Sequence, residues 1–390
     1  MNILVLTHSI STTGGGIAVF VENLCAVLGR KHNVHVLLPY AKHKTPLIES
    51  YRNDLYAIHK VKTSGLLSSL RVACKTIILR MKHDIDVAFI GHTMSTHSLG
   101  ALILSKLFKI PYSILVHGTT LTYYLKEIKG LDGLFVDLVL KNASLILANS
   151  NYTKNIIKAS GYGQLENKIK LLYPGVDTKA FHQEFDPDRI KKRYNICDNK
   201  IILTVGKMVK RKNHEKVIKA LEKVIDKIHN ITYLIVGSGP EGKNLHDMVL
   251  RHGLKKYVTF AGEVEEGELP YYYAACDIFV MPSLIIDNKR SIDFEGFGIV
   301  FSEANACGKP VIGGRAGGMY DSIIDGVTGL LVDPENVKAI ADAIIRLLTD
   351  TEYARKLGKN GRRRVEQELS WERVGARFEG LLQRVIENCF

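Results

Sequence analysis

The chain of 390 residues is too long for one ordinary domain and suits two domains of about 150 to 200 residues each. Its 46% hydrophobic and 24% charged residues are typical of globular proteins and exclude a disordered chain. The net charge is +13, and residues 1–190 hold 22 Lys and Arg against 13 Asp and Glu, which indicates an anionic partner such as a membrane surface or a phosphorylated substrate.

The cysteines and the N-terminus indicate a cytoplasmic protein. The six cysteines are scattered without a CxxC pair or a Cys/His cluster, so the sequence predicts neither a disulfide framework nor a zinc site. The N-terminus runs directly into a strand pattern, and no uncharged apolar run is long enough to span a membrane. We expect at most peripheral contact with the inner face of the cell membrane, and no nucleic-acid partner because no recognition motif accompanies the charge.

Short apolar runs alternate with amphipathic helical segments along the chain. The predicted strands are "NILVLTH", "NVHVLLP", "DVAFIGH", "YSILVHG" and "LILANS" in the first half, then "IILTVGK", "TYLIVGS", "VTFAG", "IFVMPS" and "KPVIGG". This α/β pattern predicts two doubly wound, Rossmann-like parallel-sheet domains with ligands at the carboxyl ends of the strands. We place the N-terminal domain at residues 1–180, a polar linker at 181–199, the C-terminal domain at 200–370 and a final amphipathic helix at 371–390.

A glycine run, "TTGGGIAVF", follows the first predicted strand. Glycines at the start of a helix let a backbone approach a phosphate, towards which the helix N–H groups point. A tight strand-to-helix turn uses the same residue type, so Gly14, Gly15 and Gly16 fit both interpretations.

The segment 66–82, "LLSSLRVACKTIILRMK", has a cationic side and an apolar side. The cations are Arg71, Lys75 and Lys82, and the apolar residues are Leu67, Leu70, Ile77, Ile78 and Met81. Such a helix suits docking on anionic lipid, and hence a lipid-linked acceptor. An ordinary helix that covers a sheet has the same pattern.

His117 ends a predicted strand in "ILVHGTT". A histidine at this position can donate to a sugar hydroxyl or to a phosphate in a cleft. A structural role is the alternative, because an isolated histidine carries no further signal.

A cluster of cations follows the first strand of the second half, in "ILTVGKMVKRKN". Lys207, Lys210, Arg211 and Lys212 stand where a parallel sheet binds a diphosphate. A solvated basic loop is the alternative interpretation.

The stretch "GSGPEG", Gly237 to Gly242, matches the GxGxxG fingerprint of dinucleotide-binding folds, and Glu263 lies where those folds keep a ribose-binding acid. The stretch follows the second strand of its domain, however, whereas the fingerprint normally opens the first βαβ unit. Chance matches are common, so a dinucleotide site is the less favoured interpretation.

Two glutamates stand among apolar residues in "DFEGFGIVFSEANACGKP". The pattern predicts a loop and a short helix, with Glu295 before the helix and Glu303 within it. Eight helical residues rise about 12 Å, the scale of a nucleotide sugar from hexose to ribose. Free N–H groups from Gly296 to Ile299 would then meet a diphosphate between two acids that accept from sugar hydroxyls. A solvated acid pair is the alternative, and the apolar flanks disfavour it.

The order and spacing of these motifs resemble those of the GT-B glycosyltransferases of the retaining family four, over nearly the whole chain. The matching pieces are "GGI", "HG" at 117 and 118, "PGVDTKAF", "VGKMVKRKN", "VGSGP", "VTFAGEVEEGEL", "MPS", "EGFGIVFSEANACGKPVIGGRAGG" and "DGVTGLLVDP". The resemblance implies two Rossmann-like domains facing across a cleft, with the final helix packing back toward the N-terminal domain. It also implies transfer of a hexose from a UDP- or GDP-sugar.

The resemblance also implies roles for individual residues. The residues expected to be catalytic are His117, Lys207, Lys212 and Glu295. The residues expected to bind the donor are Gly15, Gly16, Gly206, Arg211, Gly237, Val264, Gly296, Phe297, Gly298, Ile299 and Glu303. No metal ion or other cofactor is expected, and the acceptor is expected to be a glycolipid, a lipid-linked oligosaccharide or a polysaccharide precursor.

Two features depart from the common family pattern. Lys207 stands where the family usually has arginine, so the bidentate fork towards a phosphate is lost. The loop "LIIDNKRSID" between "MPS" and "EGFG" is long, and it resembles the loop of some bacterial phosphatidylinositol mannosyltransferases. The alternatives to a transferase are a nucleotide-sugar epimerase of similar fold and a dinucleotide-dependent oxidoreductase that would use "GSGPEG".

Overall fold

The computed structural model describes residues 1–8, 10, 16–40, 54–63, 68–91, 98–127, 131–289 and 291–388. It divides into two compact units. The first contains Met1–Pro174, Asn288–Ile292 and Trp371–Phe390, and the second contains Gly175–Asp287 and Asp293–Ser370.

The first unit is built on a parallel sheet of seven strands in the order β3-β2-β1-β4-β5-β6-β7. The strands are β1 (Asn2–Leu6), β2 (Asn33–Tyr40), β3 (Ala57–Lys62), β4 (Val87–Ile90), β5 (Tyr112–Val116), β6 (Leu145–Ala148) and β7 (Ile169–Leu171). The central strands are apolar throughout because helices cover both faces of a doubly wound sheet.

Within the described residues, six α-helices lie between these strands in the sequence. They are α1 (Gly16–Gly29), α2 (Ser68–His83), α3 (Ser98–Phe108), α4 (Gly118–Glu127), α5 (Leu131–Asn142) and α6 (Asn151–Ile157). Helix α6 begins where Ser150 accepts a hydrogen bond from the Thr153 amide at 3.1 Å, an N-cap that satisfies one free helix donor.

The second unit contains a parallel sheet of six strands in the order β10-β9-β8-β11-β14-β15. These strands are β8 (Lys200–Val205), β9 (Ile231–Val236), β10 (Val258–Gly262), β11 (Ile278–Met281), β14 (Val311–Gly314) and β15 (Gly329–Val332). Two strands of two residues, β12 (Ile286–Asp287) and β13 (Ile292–Asp293), stand between β11 and β14 in the sequence.

Eight helices accompany this second sheet in the chain. They are α7 (Asp188–Arg193), α8 (His214–Ile225), α9 (Gly242–Arg251), α10 (Leu269–Ala275), α11 (Ile299–Ala306), α12 (Met319–Ser322), α13 (Val337–Thr349) and α14 (Thr351–Arg364). The stretch 181–199, expected to be a linker, contains α7, whose Arg189 and Arg193 contact Glu268 at 2.6 and 2.7 Å. The prediction of two doubly wound parallel-sheet domains is confirmed.

The last helix, α15 (Trp371–Glu387), belongs to the first unit. Trp371 meets the Phe20 ring of α1 edge-on at 5.6 Å between centroids, and Phe378 meets Phe89 of β4 at 4.9 Å. These aromatic contacts close the hydrophobic cluster on the α1 face of the first sheet.

Helix α2 turns Val72 and Leu79 into the core of the first unit. Leu70, Ile78 and Met81 stay 55%, 44% and 77% exposed, respectively. The apolar residues named from the sequence are therefore mostly on the outer face of α2, and Leu67 lies outside the described residues. None of the described helices is long and apolar enough to cross a membrane.

Candidate functional site

The site of the second unit lies at the carboxyl ends of β8 and β11. These two strands are neighbours at the centre of the sheet, and the strand order runs outward in opposite directions from them. Ligands of open α/β sheets bind at such a point because the loops diverge there. Gly206 and Lys207 follow β8, and Pro282 follows β11.

Asn213 fixes the basic loop, residues 207–212, against this sheet edge. Its buried side chain donates hydrogen bonds to the carbonyl oxygens of Pro282, at 3.0 Å, and Pro334, at 2.8 Å. Its backbone is left-handed, with φ of 61°, a conformation that asparagine tolerates better than most residues. Asn213 is not among the residues predicted from the sequence, although an Asn just before a predicted helix is a signal of a helix start.

Two cations of this loop meet carboxylates that precede α11. The Lys212 ammonium and the Arg211 guanidinium both bind Oε2 of Glu295, and the Arg211 contact is 2.6 Å long. Lys212 is only 9% exposed. Arg211 Nε also lies 3.0 Å from Oδ1 of Asp293, a carboxylate that sequence analysis did not select.

Burial and neighbouring charges shift the pKa values of Glu295 and Lys212. Burial alone would raise the pKa of Glu295, but the charges of Lys212 and Arg211 outweigh it and hold that pKa below its usual value. Burial lowers the pKa of Lys212, while Glu295 opposes this shift. Burial, with the charge of Lys212, also lowers the pKa of the neighbouring His214 to about 4. Glu295 is therefore a carboxylate and His214 a neutral imidazole at neutral pH.

Glu303 occupies a different environment on α11. The hydroxyl of Tyr273, on α10, donates to Glu303 Oε2 at 2.6 Å. Burial raises the pKa of Glu303 to about 7, and the Tyr273 hydrogen bond opposes that rise. Lys212 also acts on this pKa, which places Glu303 within the electrostatic reach of the basic loop.

The loop that carries Glu295 touches a second glycine loop. The Gly318 amide donates to the Glu295 carbonyl oxygen at 2.8 Å, and a Cβ at Gly318 would lie 2.0 Å from the Gly296 carbonyl oxygen. Only glycine allows this approach of two backbones. Helix α11 starts directly after Gly298, so Glu295 precedes the helix and Glu303 lies within it, as the sequence predicted.

The "GSGPEG" stretch joins two loops of the same sheet edge. A Cβ at Gly237 would lie 2.3 Å from the carbonyl oxygen of Gly206, and the Met208 amide donates to the Ser238 carbonyl oxygen at 2.7 Å. Ser238 Oγ is also hydrogen-bonded to Glu263, the acid that the fingerprint would assign to a ribose. Glycine at position 237 therefore lets the backbone after β9 pack closely against the backbone after β8.

The remaining predicted residues have varied surroundings. Lys207 is exposed and makes no ion pair within the described ranges, and Val264 is half-buried shortly after β10. In the first unit, His117 is buried directly after β5, and its carbonyl oxygen accepts from the Leu121 amide at 3.0 Å. Gly16 opens α1, whereas Gly15 lies outside the described residues.

Comparison with known proteins identifies the family. Residues 14–180 match the model described as Glycosyltransferase Family 4, and residues 186–364 match that of Glycosyl transferases group 1. The chain is 30% identical to the GDP-mannose-dependent alpha-(1-6)-phosphatidylinositol monomannoside mannosyltransferase of Mycolicibacterium smegmatis, over 97% of each chain. The chain belongs to family four of the GT-B glycosyltransferases.

A further relative and a solved structure are also similar to this glycosyltransferase. The GDP-mannose-dependent monoacylated alpha-(1-6)-phosphatidylinositol monomannoside mannosyltransferase of Corynebacterium glutamicum is 35% identical over 60% of each chain. The crystal structure of Anabaena HepE in complex with UDP matches with a TM-score of 0.80 at 21% identity, over 98% of this chain and 100% of HepE. The predicted fold and family are confirmed, and the oxidoreductase and epimerase alternatives are set aside.

Proposed function

We propose that this glycosyltransferase moves mannose from GDP-mannose to a hydroxyl group of a glycolipid, with retention at the anomeric carbon and without a metal ion. The names of the Mycolicibacterium and Corynebacterium relatives support this donor and an inositol-lipid acceptor. The long "LIIDNKRSID" loop, which resembles that of phosphatidylinositol mannosyltransferases, supports the same choice.

The observation that carries the proposal is that both cations bind the same carboxylate oxygen of Glu295. Lys212 and Arg211 both bind Oε2, and within the described part of the chain Oε1 takes no hydrogen bond. A carboxylate held in this way can accept from a donor-sugar hydroxyl through Oε1 while two cations fix its position. Its lowered pKa keeps it ionised for that task.

Glu303 is suited to the ribose of the donor. Tyr273 binds Oε2 of Glu303, which leaves Oε1 to accept from the ribose diol. The backbone amides of residues 296–299, at the start of α11, would bind the diphosphate between the two acids, together with Lys207 and Lys212. Gly206, Gly237 and Val264 border the same sheet edge.

Catalysis by this arrangement is electrostatic. The bond between the anomeric carbon and the diphosphate breaks through an oxocarbenium-like transition state, and negative charge grows on the leaving phosphate. Lys207, Lys212 and the amides of α11 stabilise that charge. The acceptor hydroxyl attacks the same face of the sugar, and the leaving phosphate takes its proton. Neither glutamate acts as a general acid in this scheme, unlike the carboxylate pairs of glycosidases.

The first unit supplies the acceptor side in this proposal. His117 contacts the donor sugar, and the glycines at the start of α1, Gly15 and Gly16, contact the phosphates or the acceptor. The outer face of α2 rests on anionic lipid, since exposed Leu70, Ile78 and Met81 stand beside the exposed cations Arg71 and Lys82. Each of these cations near the surface adds about 1 kcal/mol of attraction to an anionic membrane.

A donor and acceptor panel tests the proposal. Purified protein is incubated with GDP-mannose, UDP-glucose or ADP-glucose and with phosphatidylinositol monomannoside in anionic vesicles, and transfer to lipid is followed by mass spectrometry. We expect transfer from GDP-mannose, an α-linked product, and full activity in the presence of EDTA. Transfer from a UDP-sugar alone would overturn the choice of donor, and a β-linked product would overturn retention.

A further inference from the structure

Three histidines that are far apart in the sequence lie close together in the first unit. His35 lies on β2, His59 on β3, and His83 is the last residue of α2. One ligand nitrogen of each imidazole lies within 4.8 Å of those of the other two. His35 Nδ1 is 3.1 Å from His59 Nε2, and the rings of His35 and His83 are 4.1 Å apart between centroids.

The strand register explains why these side chains meet. In the parallel pair of β2 and β3, His35 is opposite Ala57, and Leu37 is opposite His59. Residues two apart on a strand point to the same face, so both histidines face the side on which Leu37 packs with Leu79 of α2. The end of α2 then brings His83 to the same place, and all three side chains are half-buried.

The spacing of two of these nitrogens suits a transition metal. Zinc is bound by imidazole nitrogen at about 2.0 to 2.1 Å, so two nitrogens of a tetrahedral site are about 3.3 Å apart. The separation of 3.1 Å between His35 and His59 is close to that value.

A cavity adjoins the cluster and can supply a fourth ligand. It has a volume of about 580 Å³ and is lined by His35 and His83 together with Asp54 and Asp84. Three protein ligands with an open fourth position for water are a common zinc arrangement. Imidazole also suits copper and nickel, but Cu²⁺ and Ni²⁺ prefer square-planar or tetragonal sites, so a tetrahedral arrangement of these ligands favours zinc.

We propose that His35, His59 and His83 form a zinc site that ties the edge strand β3 to β2 and to the end of α2. The site is separate from the proposed transfer reaction, because it lies near the amino ends of its strands, whereas His117 follows the carboxyl end of β5. Its function is to hold the sheet edge, which a chelator would then loosen.

Metal titration of the full-length protein tests this proposal. The protein is purified without a polyhistidine tag, stripped with a chelator and titrated with Zn²⁺ in competition with a chromophoric chelator. We expect one tight site per chain and a rise in Tm with zinc, because a ligand that binds only the folded state stabilises it. Co²⁺ in the same site should give visible absorption bands of a four-coordinate ion without a thiolate charge-transfer band.

Variants locate the metal. Loss of a residue that only hydrogen-bonds to a metal ligand already weakens metal binding ~10–100-fold. His59→Asn and His83→Asn should each weaken zinc binding by at least that factor, and zinc should no longer raise Tm. His229→Asn, at an exposed histidine of the second unit, is the matched control and should bind zinc like the unmodified chain.

Three results would overturn the site. They are zinc affinity of the unmodified chain no higher than that of His59→Asn, absence of the cobalt bands, or a thiolate band from an exposed cysteine such as Cys74. The cobalt spectrum decides the question on the unmodified protein if the histidine variants do not fold.

Discussion

The hydroxyl of Tyr273 donates a hydrogen bond of 2.6 Å to Glu303, and both side chains lie on helices, α10 and α11, that pack together. Burial, with the charge of Glu303 as a second cause, raises the pKa of Tyr273 well above its usual value. The phenol therefore stays protonated and remains the donor. Glu303, with a pKa of about 7, is the partner that titrates near neutral pH.

Nucleotide binding should depend on this titration. In the proposed function the Glu303 carboxylate accepts from the ribose, so affinity for GDP should fall as the pH drops below about 7. Tyr273→Phe removes the hydrogen bond that opposes the raised pKa, so the midpoint should move to higher pH. Calorimetric titration of GDP from pH 5.5 to about 8.5 would measure both midpoints. Glu303→Gln is the control, and a midpoint that persists in that variant would assign the titration to another group.

Stability should respond to Glu303 in the opposite sense from a paired carboxylate. A group whose pKa is raised on folding contributes stability that is fully present below its ordinary pKa, here 4.5, and is lost progressively as the pH rises through the folded value of about 7. Glu303→Gln should therefore raise Tm relative to the unmodified chain most at pH 8, less at pH 6, and hardly at all at pH 4.5. Scanning calorimetry at the three pH values checks this sign, and an equal shift at all three would contradict the assigned pKa.

Substitutions of Lys212 and of Glu303 should change different kinetic constants. In the proposed mechanism Lys212 stabilises the leaving diphosphate, so Lys212→Ala should lower kcat about 10²–10³-fold. Glu303→Ala removes contacts that are similar in the ground and transition states, so it should raise the donor KM more than it lowers kcat. Steady-state rates with GDP-mannose measure both. Changes in KM alone for both variants would count against the electrostatic mechanism.

Lys207→Arg should strengthen donor binding. The planar fork of arginine can bind a phosphate through two parallel hydrogen bonds, whereas an ammonium acts as a point charge. Lys207 is exposed and has no ion pair in the described ranges, so the change should leave Tm unaltered. We expect a several-fold lower donor KM, and Lys210→Arg on the same loop is the matched control. An unchanged KM would place Lys207 away from the diphosphate.

The close contact between the backbones at Gly318 and Gly296 predicts that a side chain at Gly318 is destabilising. At Gly318 an alanine would put its Cβ 2.0 Å from the Gly296 carbonyl oxygen and would push away the backbone that carries Glu295. Gly318→Ala should lower Tm and raise the donor KM together. Gly267→Ala, where no atom lies within 4 Å of the new Cβ, should do neither, and a harmless Gly318→Ala would argue that the loops separate readily.

The sequence predicts the sheets and the charged loops better than it predicts their partners. Continuous apolar strands and the basic "KMVKRKN" run are local signals, so their places in the fold follow directly. The support of Glu295 by Asp293 through Arg211, and that of Glu303 by Tyr273, depends on side chains brought together only by the fold. Their individual residue types carry no such signal.

Two other patterns were misleading or silent for physical reasons. "GSGPEG" has the spacing of a nucleotide fingerprint, but Gly237 is required there by the carbonyl oxygen of Gly206. His35, His59 and His83 lie on three separate elements, so no local spacing rule for metal ligands applies to them.

The return of α15 to the first unit has a consequence for biosynthesis. The apolar face formed by Phe20 and Phe89 is covered by Trp371 and Phe378, which the ribosome adds only after the whole second unit. At about 5–20 residues per second, that face waits roughly 15 to 60 s for its cover. The usual order, in which the N-terminal domain folds first, is thus reversed for its final step. A nascent chain stalled before Trp371 would expose the first unit to chaperones while the second is already complete.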